Sequence, residues 1–179
     1  PGYNTIIATS GNDPLDFSAA TGKNIKVVDF VIDGGDGNDF IKGHETTYNH
    51  IRGGAGNDTL IGGGVGNTFY LVTQDVNGDK NGLDQYVGGA GYDKIVGDWS
   101  YDTLRVSSNM SNLVSIDEID GGDTTPGRNK IVANSGHDTL DFRNIVLKNF
   151  DVEAGAGNDT VYAANAGTGA RYRGGEGDD

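Results

Sequence analysis

The sequence contains no cysteine, so disulfides and thiolate metal centres are both excluded, and thiols say nothing about its redox compartment. No apolar run approaches the ~18 residues of a membrane-spanning helix. Basic residues are few, 13 against 26 acidic ones, and the net charge of −13 opposes nucleic acid and anionic lipid alike. The chain starts at Pro1 with no signal-peptide pattern after it. Its last residues, Gly174-Gly175-Glu176-Gly177-Asp178-Asp179, stop partway through a motif described below, so the sequence is expected to be a piece of a longer polypeptide. What it has in excess is glycine, 31 residues in 179. Glycine loses more conformational freedom on folding than any other residue. A self-repelling chain with 35% hydrophobic residues borders on the disordered class. Bound cations would offset both the entropy and the repulsion.

The glycines are periodic. Gly34-Gly35-Asp36-Gly37-Asn38-Asp39-Phe40-Ile41-Lys42 matches Gly53-Gly54-Ala55-Gly56-Asn57-Asp58-Thr59-Leu60-Ile61 and Gly88-Gly89-Ala90-Gly91-Tyr92-Asp93-Lys94-Ile95-Val96. Residues 154–162 form a fourth copy with Ala154 in the first place. Each nonapeptide has Gly in places two and four, Asp in place six and a large apolar residue in place eight. Weaker copies follow in phase: Gly62 to Tyr70, with Asn67 and Phe69 in those two places, and Gly97 to Arg105, with Asp102 and Leu104. A longer period overlies the short one. Residues 4–17 resemble residues 129–142 at an offset of 125, Ile6 to Ile131, and the glycine-rich copies recur at 120, Gly34 to Ala154. The chain reads as a single repeat array over 1–179, about one and a half units of ~120 residues, as suits a long solenoid.

These nonapeptides resemble the RTX (repeats-in-toxin) family, whose Gly-Gly-x-Gly-x-Asp-x-apolar-x repeats fold as parallel β-rolls on calcium. The resemblance implies secretion by a type I route as an unfolded chain that folds outside the cell. The pattern lapses in connecting segments, roughly 19–32, 72–83, 106–119 and 145–152, where no calcium sites are assigned.

The spacing has a physical logic. The apolar eighth place sits in a short strand and points inward. The glycines ahead of it form a turn that a Cβ would obstruct, so carbonyl oxygens converge there and the sixth-place carboxylate joins them. Calcium takes 6–8 oxygens, from carboxylates and carbonyls alike. One turn cannot supply them, but parallel strands lie ~4.8 Å apart, so turns one circuit apart face each other across an ion-sized gap. Asp39 and Asp58, 19 apart, are expected to stack in this way; Asn49 and Asn67 stack on the opposite edge, as do Asp84 and Asp102. The candidate ligands are Gly34, Asp36, Gly37 and Asp39; Gly53, Gly56 and Asp58; Asn67; Asp84; Gly88, Gly91 and Asp93; Asp102; and Gly157 with Asp159. Asp13, Asp138 and Asp179 join them from the long-period copies and the terminal partial motif. Asn offers an oxygen without charge, so the Asn49–Asn67 edge should bind weakly or not at all. Without the ions the carboxylates repel and a thin core cannot offset backbone entropy, so binding free energy becomes folding free energy. A largely disordered calcium-free chain and cooperative folding at about millimolar calcium are expected.

Other patterns carry less. His44-Glu45-Thr46-Thr47-Tyr48 begins like the zinc-protease helix motif but has Tyr in its fifth place and lies between glycine turns, so it reads as a connecting loop. His50 and His137 are placed at turns. The glycine runs lack the Lys-Ser/Thr and following helix of a phosphate cradle. Asp75-Val76-Asn77-Gly78-Asp79-Lys80-Asn81-Gly82 alternates oxygen side chains like an EF-hand loop, without its Gly six and Glu twelve; a polar loop is favoured over an extra calcium site. Tyr86 is placed in the core, while Trp99, Tyr92 and Tyr101 are candidates for rim packing or, less favoured, a sugar-stacking surface. No catalytic set stands out.

The expected fold is all-β: a right-handed parallel β-roll or solenoid, nearly helix-free, with two edges of Gly-Asp turns binding several Ca²⁺ ions and about eight to ten turns of ~18 residues. The expected role is a non-enzymatic structural or adhesive segment of a large secreted or cell-surface protein. Its partners would be calcium and conceivably other copies or surface glycans, with no nucleic acid and no membrane insertion. The rival reading is the calcium-dependent tail of a secreted protease, lipase or alginate epimerase, and a carbohydrate-binding module is the third.

Overall fold

A computed structural model describes residues 4–19, 30–71, 82–98, 101–122 and 129–179. The Asp75–Gly82 loop, apart from Gly82, and Trp99 lie outside the described residues.

The chain winds into a parallel β-solenoid. Its first part alternates between two sheets through β1 (Asn4–Ile7), β2 (Pro14–Asp16), β3 (Phe30–Asp36), β4 (Phe40–Lys42), β5 (Asn49–Ala55), β6 (Thr59–Gly63), β7 (Asn67–Tyr70), β8 (Gln85–Gly89) and β9 (Lys94–Val96). Odd strands stack on one face and even strands on the other. From β9 to β15 each circuit holds three strands. β10 (Thr103–Arg105), β11 (Leu113–Val114) and β12 (Glu118–Asp120) make one such circuit. β13 (Lys130–Val132), β14 (Thr139–Asp141) and β15 (Val146–Lys148) make the next. β16 (Asp151–Ala156), β17 (Thr160–Tyr162) and β18 (Arg171–Glu176) follow. The first sheet continues as β9-β12-β15, the second ends at β11, and two new sheets begin, β10-β13-β16-β18 and β14-β17. All of this pairing is parallel. Among the described residues the only helical segment is a 3₁₀ turn at Ser108–Met110.

Register follows the apolar place. Ile6, Ile32, Ile51, Phe69, Ile95, Ile119 and Leu147 are successive partners across the first sheet. The strands are short, and in most of them the central residue alone is buried between half-exposed flanks. Ile41, Leu60, Phe69, Ile95 and Leu104, all eighth-place residues, lie within 1% of complete burial, as does Tyr86. Phe69 and Tyr86 meet edge-on at 5.6 Å. Each such side chain contributes about 1.5–3 kcal/mol by leaving water, but the core is one side chain per strand and correspondingly thin.

The described residues make about six turns, not eight to ten. In the first sheet only the steps from Ile32 to Ile51 and from Ile51 to Phe69, 19 and 18 residues, approach two nonapeptides. The others reach 28 residues, Ile119 to Leu147. The glycine-free segments lengthen circuits, and two of them carry strands of their own, β11, β12 and β15.

Candidate calcium ladders at the glycine turns

Each nonapeptide turn is shaped by glycines that nothing else can replace. Gly54 and Gly56 take φ of 113° and 125°, and a Cβ on either would strike the carbonyl oxygen of Gly35 or Gly37 one turn earlier. The first-place glycine has a different task. At Gly34 the position a Cβ would fill is bordered by Asp39 Oδ2 from the same turn and Gly53 O from the next. Gly53 stands in the same relation to Asp58, Gly97 to Asp102 and Gly174 to Asp179. The missing side chain therefore makes a cradle into which a carboxylate oxygen is folded.

The sixth-place carboxylates then form ladders. Asp13 N–H donates to Asp39 Oδ1 (2.9 Å), Asp39 N–H to Asp58 Oδ1 (2.8 Å), and Asp58 N–H to Asp84 Oδ1 (2.9 Å). A second run joins Asp138 N–H to Asp159 (2.8 Å) and Asp159 N–H to Asp179 (3.0 Å). A third joins Asn67 N–H to Asp93 (2.7 Å) and Asp93 N–H to Asp117 (2.8 Å). Each accepting carboxylate thereby has one oxygen tied to backbone, and Asp84 Oδ2 is held by the Tyr86 hydroxyl. Oδ2 of Asp39, Asp58, Asp93 and Asp159, Oδ1 of Asp102, and both oxygens of Asp138 are buried without a hydrogen bond.

A buried, unpaired anion is costly. Burial pushes the Asp58 carboxyl up to about 7 against the N–H bond from Asp39, which pulls it down, while the charges of Asp84 and Asp39 add to the rise. Asp102 is pushed to about 7, again chiefly by burial. Asp39 and Asp93 are raised for the same leading reason. The ladders are thus lined with acceptors that lack donors.

The asparagine rungs have the same backbone and the opposite chemistry. Asn49 Nδ2 donates to His44 O (2.9 Å), Thr47 O (3.0 Å) and Asn67 Oδ1 (2.8 Å). Asn67 Nδ2 donates to Val65 O (2.7 Å), Gly88 O (3.0 Å) and Asp93 Oδ1 (2.7 Å). Asn129 does likewise toward Gly121 O, at 2.9 Å. Where Asp presents a second acceptor to the glycine carbonyl, Asn presents a donor.

Several sequence expectations change here. Asp84 does not stack on Asp102. Asp84 continues the Asp13–Asp39–Asp58 ladder, and Asp102 N–H instead donates to Asn129 Oδ1 at 3.2 Å, because β10 opens a new sheet. Asp36 stays on the exposed rim, outside the ladders, with its carbonyl accepting Gly11 N–H at 2.7 Å. His50 lies in strand β5, stacked on Tyr70 at 5.9 Å, and not in a turn. His137 is at a turn, its Nδ1 accepting Asn158 N–H at 2.7 Å. His44 to Tyr48 form the connecting loop expected of them. Tyr86 is core, with its hydroxyl on Asp84 Oδ2 at 3.0 Å. Tyr92 and Tyr101 are exposed.

Sequence reasoning missed Asp117 and Asn112, which sit in a segment without glycine, and Asn129. The signal for two of them was there: Asp117 precedes Ile119, and Asn129 precedes Ile131, by the same two residues as sixth place precedes eighth. It also missed a rim ladder of fifth-place residues, in which Asn12 Oδ1 accepts Asn38 N–H (2.8 Å) and Asn38 Oδ1 accepts Asn57 N–H (2.7 Å).

Among the described residues no three His, Cys, Asp or Glu side chains gather at one point. The acids are strung one per turn, so a cation held between turns must draw on glycine carbonyls as well, which suits a hard ion that accepts mixed oxygen donors. The unpaired carboxylate oxygens, set against cradles a Cβ would fill, fit such an ion.

Parallel turns with one such acid each define a β-roll of the calcium-binding kind. The family described as RTX calcium-binding nonapeptide repeat (4 copies) matches residues 31–45, 48–69, 80–107, 123–141 and 151–166, more than half of the chain. The chain belongs to this family. Comparison with curated proteins and with solved structures found no match.

Proposed function

We propose that this chain is a calcium-folded structural segment of a large secreted protein, exposed outside the cell in a matrix, surface layer or adhesive filament. The observation that carries the reading is the row of buried carboxylate oxygens without partners at Asp39, Asp58, Asp93, Asp102, Asp138 and Asp159. Asp13, Asp84 and Asp179 extend the same ladders, and the carbonyls at Gly34, Gly37, Gly53, Gly56, Gly88, Gly91 and Gly157 belong to the turns beside them. Calcium supplies the positive charge and the flexible oxygen coordination that these rungs require. The chain's own residues do the remainder. Glycines at places two and four let the turns stack, the sixth-place carboxylates tie each turn to its predecessor, and the eighth-place residues form the core.

RTX repeats are typical of secreted proteins, and among the described residues no helix is long and apolar enough to cross a membrane. A chain that folds only on calcium stays extended in a calcium-poor cytosol and sets into a rod outside. The array is repeat-only and structural in character, so we assign it no catalysis. Circular dichroism during calcium titration tests the proposal. Strand signal should rise cooperatively at about millimolar calcium and vanish in excess chelator. Equal strand signal in chelator would overturn it.

A further inference from the structure

We infer that the outer face of the N-terminal rung, β1 and β2, is a docking surface for the rung of another unit of the same repeat, placed ahead of it in a longer polypeptide. The inference deepens the structural reading above, and its test reads a different part of the molecule.

The chain contains this rung twice. Residues 4–17 and 129–142 share the pattern Asn-x-Ile-aliphatic-Ala-x-Ser-Gly-x-Asp-x-Leu-Asp-Phe, and their hydrogen bonds coincide. Ala8 N–H donates to Asp33 O at 2.9 Å, and Ala133 N–H to Glu153 O at 3.1 Å. Phe17 N–H donates to Lys42 O at 2.8 Å, and Phe142 N–H to Tyr162 O at 2.9 Å. Asp13 N–H reaches the Asp39 carboxylate as Asp138 N–H reaches that of Asp159. Ser10 bridges Asp36 as Ser135 bridges Ala156. Asp16 accepts Ser18 N–H, and Asp141 accepts Arg143 N–H.

Apart from the bonds of Thr9 to Asp13 Oδ2, which Asp138 lacks, it is the far side that differs. Strand β13 is covered by β10, with Lys130 N–H on Asp102 O (2.8 Å) and Val106 N–H on Val132 O (3.0 Å). Strand β14 lies beside the 3₁₀ turn, where Asp141 N–H meets Met110 Sδ at 3.2 Å. Leu104, Val106 and Met110 close the core over Ile131, Leu140 and Phe142, all three completely buried. In the first rung, β1 and β2 are the outermost strands of their sheets among the described residues. The matching Ile6, Leu15 and Phe17 are only half-buried, and Ile7 is 70% exposed.

Among the described residues the same sequence is therefore sealed in one place and open in the other, and its cover is known where it is sealed: a strand and 3₁₀ turn, Thr103–Met110. A second copy of this chain cannot lend that segment, because its own β10 is already paired with β13. A tandem unit can, since residues 101–128 run directly into Asn129, the counterpart of Asn4. Sheet β10-β13-β16-β18 then has a role beyond this chain. It begins before the first sheet ends, so successive units share a splice in which old and new sheets run side by side and the rod has no seam.

The test is amide hydrogen exchange in saturating calcium, on a chain with residues 84–128 duplicated ahead of Asn4, so that Arg128 precedes Asn4 as it precedes Asn129. Exchange at Thr5, Ile7 and Asp16 should slow by about tenfold or more, to the level of Lys130, Val132 and Asp141. The same extension carrying Leu104→Asp, Val106→Asp and Met110→Asp in the duplicated copy alone should leave those three amides as fast as in the unextended chain. Fast exchange with both extensions, or equal slowing with both, would overturn the inference. Protection at Ile131 and Phe142 in the same samples reports the calcium-dependent fold separately.

Discussion

Two edges of one roll present the same backbone and opposite electrostatics. Along Asp13–Asp39–Asp58–Asp84 the first-place glycines Gly34 and Gly53 make room for the second oxygens of Asp39 and Asp58, and burial drives Asp58 up to about 7. Along Asn49–Asn67 the amide nitrogen fills the corresponding space and donates to the carbonyls that a cation would otherwise hold. Most aspartate rungs are left with an unmatched acceptor, and the asparagine rungs carry their own donor, until the second edge returns to a carboxylate at Asp93. The difference is a single atom per rung, oxygen or NH₂. On the proposed reading it separates rungs that call for calcium from rungs that hold without it.

The sharpest way to break this contrast is Asn67→Asp. The substitution removes donors to Val65 O, Gly88 O and Asp93 Oδ1 and sets a carboxylate against Asp93 in a buried position. At the lowest calcium that sustains the fold it should cost about 3–5 kcal/mol, the penalty of an uncompensated buried charge, and saturating calcium should recover part of that. Urea unfolding at the two calcium concentrations measures both. A cost that is the same in the two conditions would mean that the new rung holds no ion.

The reciprocal change, Asp58→Asn, is smaller. An amide there would donate in the cradle beside Gly53 while its oxygen keeps the bond from Asp39 N–H. The fold should survive in calcium, the variant should gain about 1–3 kcal/mol at limiting calcium from satisfying a buried group, and its urea midpoint should depend less steeply on ion concentration. The calcium dependence of the urea midpoint reads this directly.

The smallest effect is that of pH. The folded carboxyls of Asp58 and Asp102 are raised to about 7 by burial, above their unfolded value near 3.8. Between those values the calcium-free fold holds protons that the unfolded chain has released, so stability falls as pH rises across the window and levels off above it. Acidifying the chelated protein from pH 7 to pH 4 should therefore restore part of the strand signal. Saturating calcium should reverse the slope, because ions and protons compete for the same oxygens. A flat profile in chelator would show that these carboxylates are solvated.

How far the sequence revealed this depends on the segment. Where glycines mark the turn, the reading was sound: Ile41, Leu60 and Ile95 are core, Asp58 stacks on Asp39, and Asn67 stacks on Asn49. It failed where spacing stood in for topology. Asp84 and Asp102 are 18 apart, yet they lie on different edges, because a longer connection carries Asp84 back onto Asp58. Loop-closure entropy grows slowly with length, so insertions between rungs cost little and leave register to the apolar places. The three-strand circuits were hidden for a related reason. β11, β12 and β15 have no glycine turn, and a pair such as Asp117 and Ile119 is too short a signal without one.

The central claim is most directly tested by a crystal structure grown in millimolar calcium, with anomalous scattering to identify the ions. The account predicts density beside the second carboxylate oxygens of Asp39, Asp58 and Asp159 and none at the Asn49 and Asn67 amides. Density at the asparagine rungs, or bare oxygens along the aspartate edge, would contradict it.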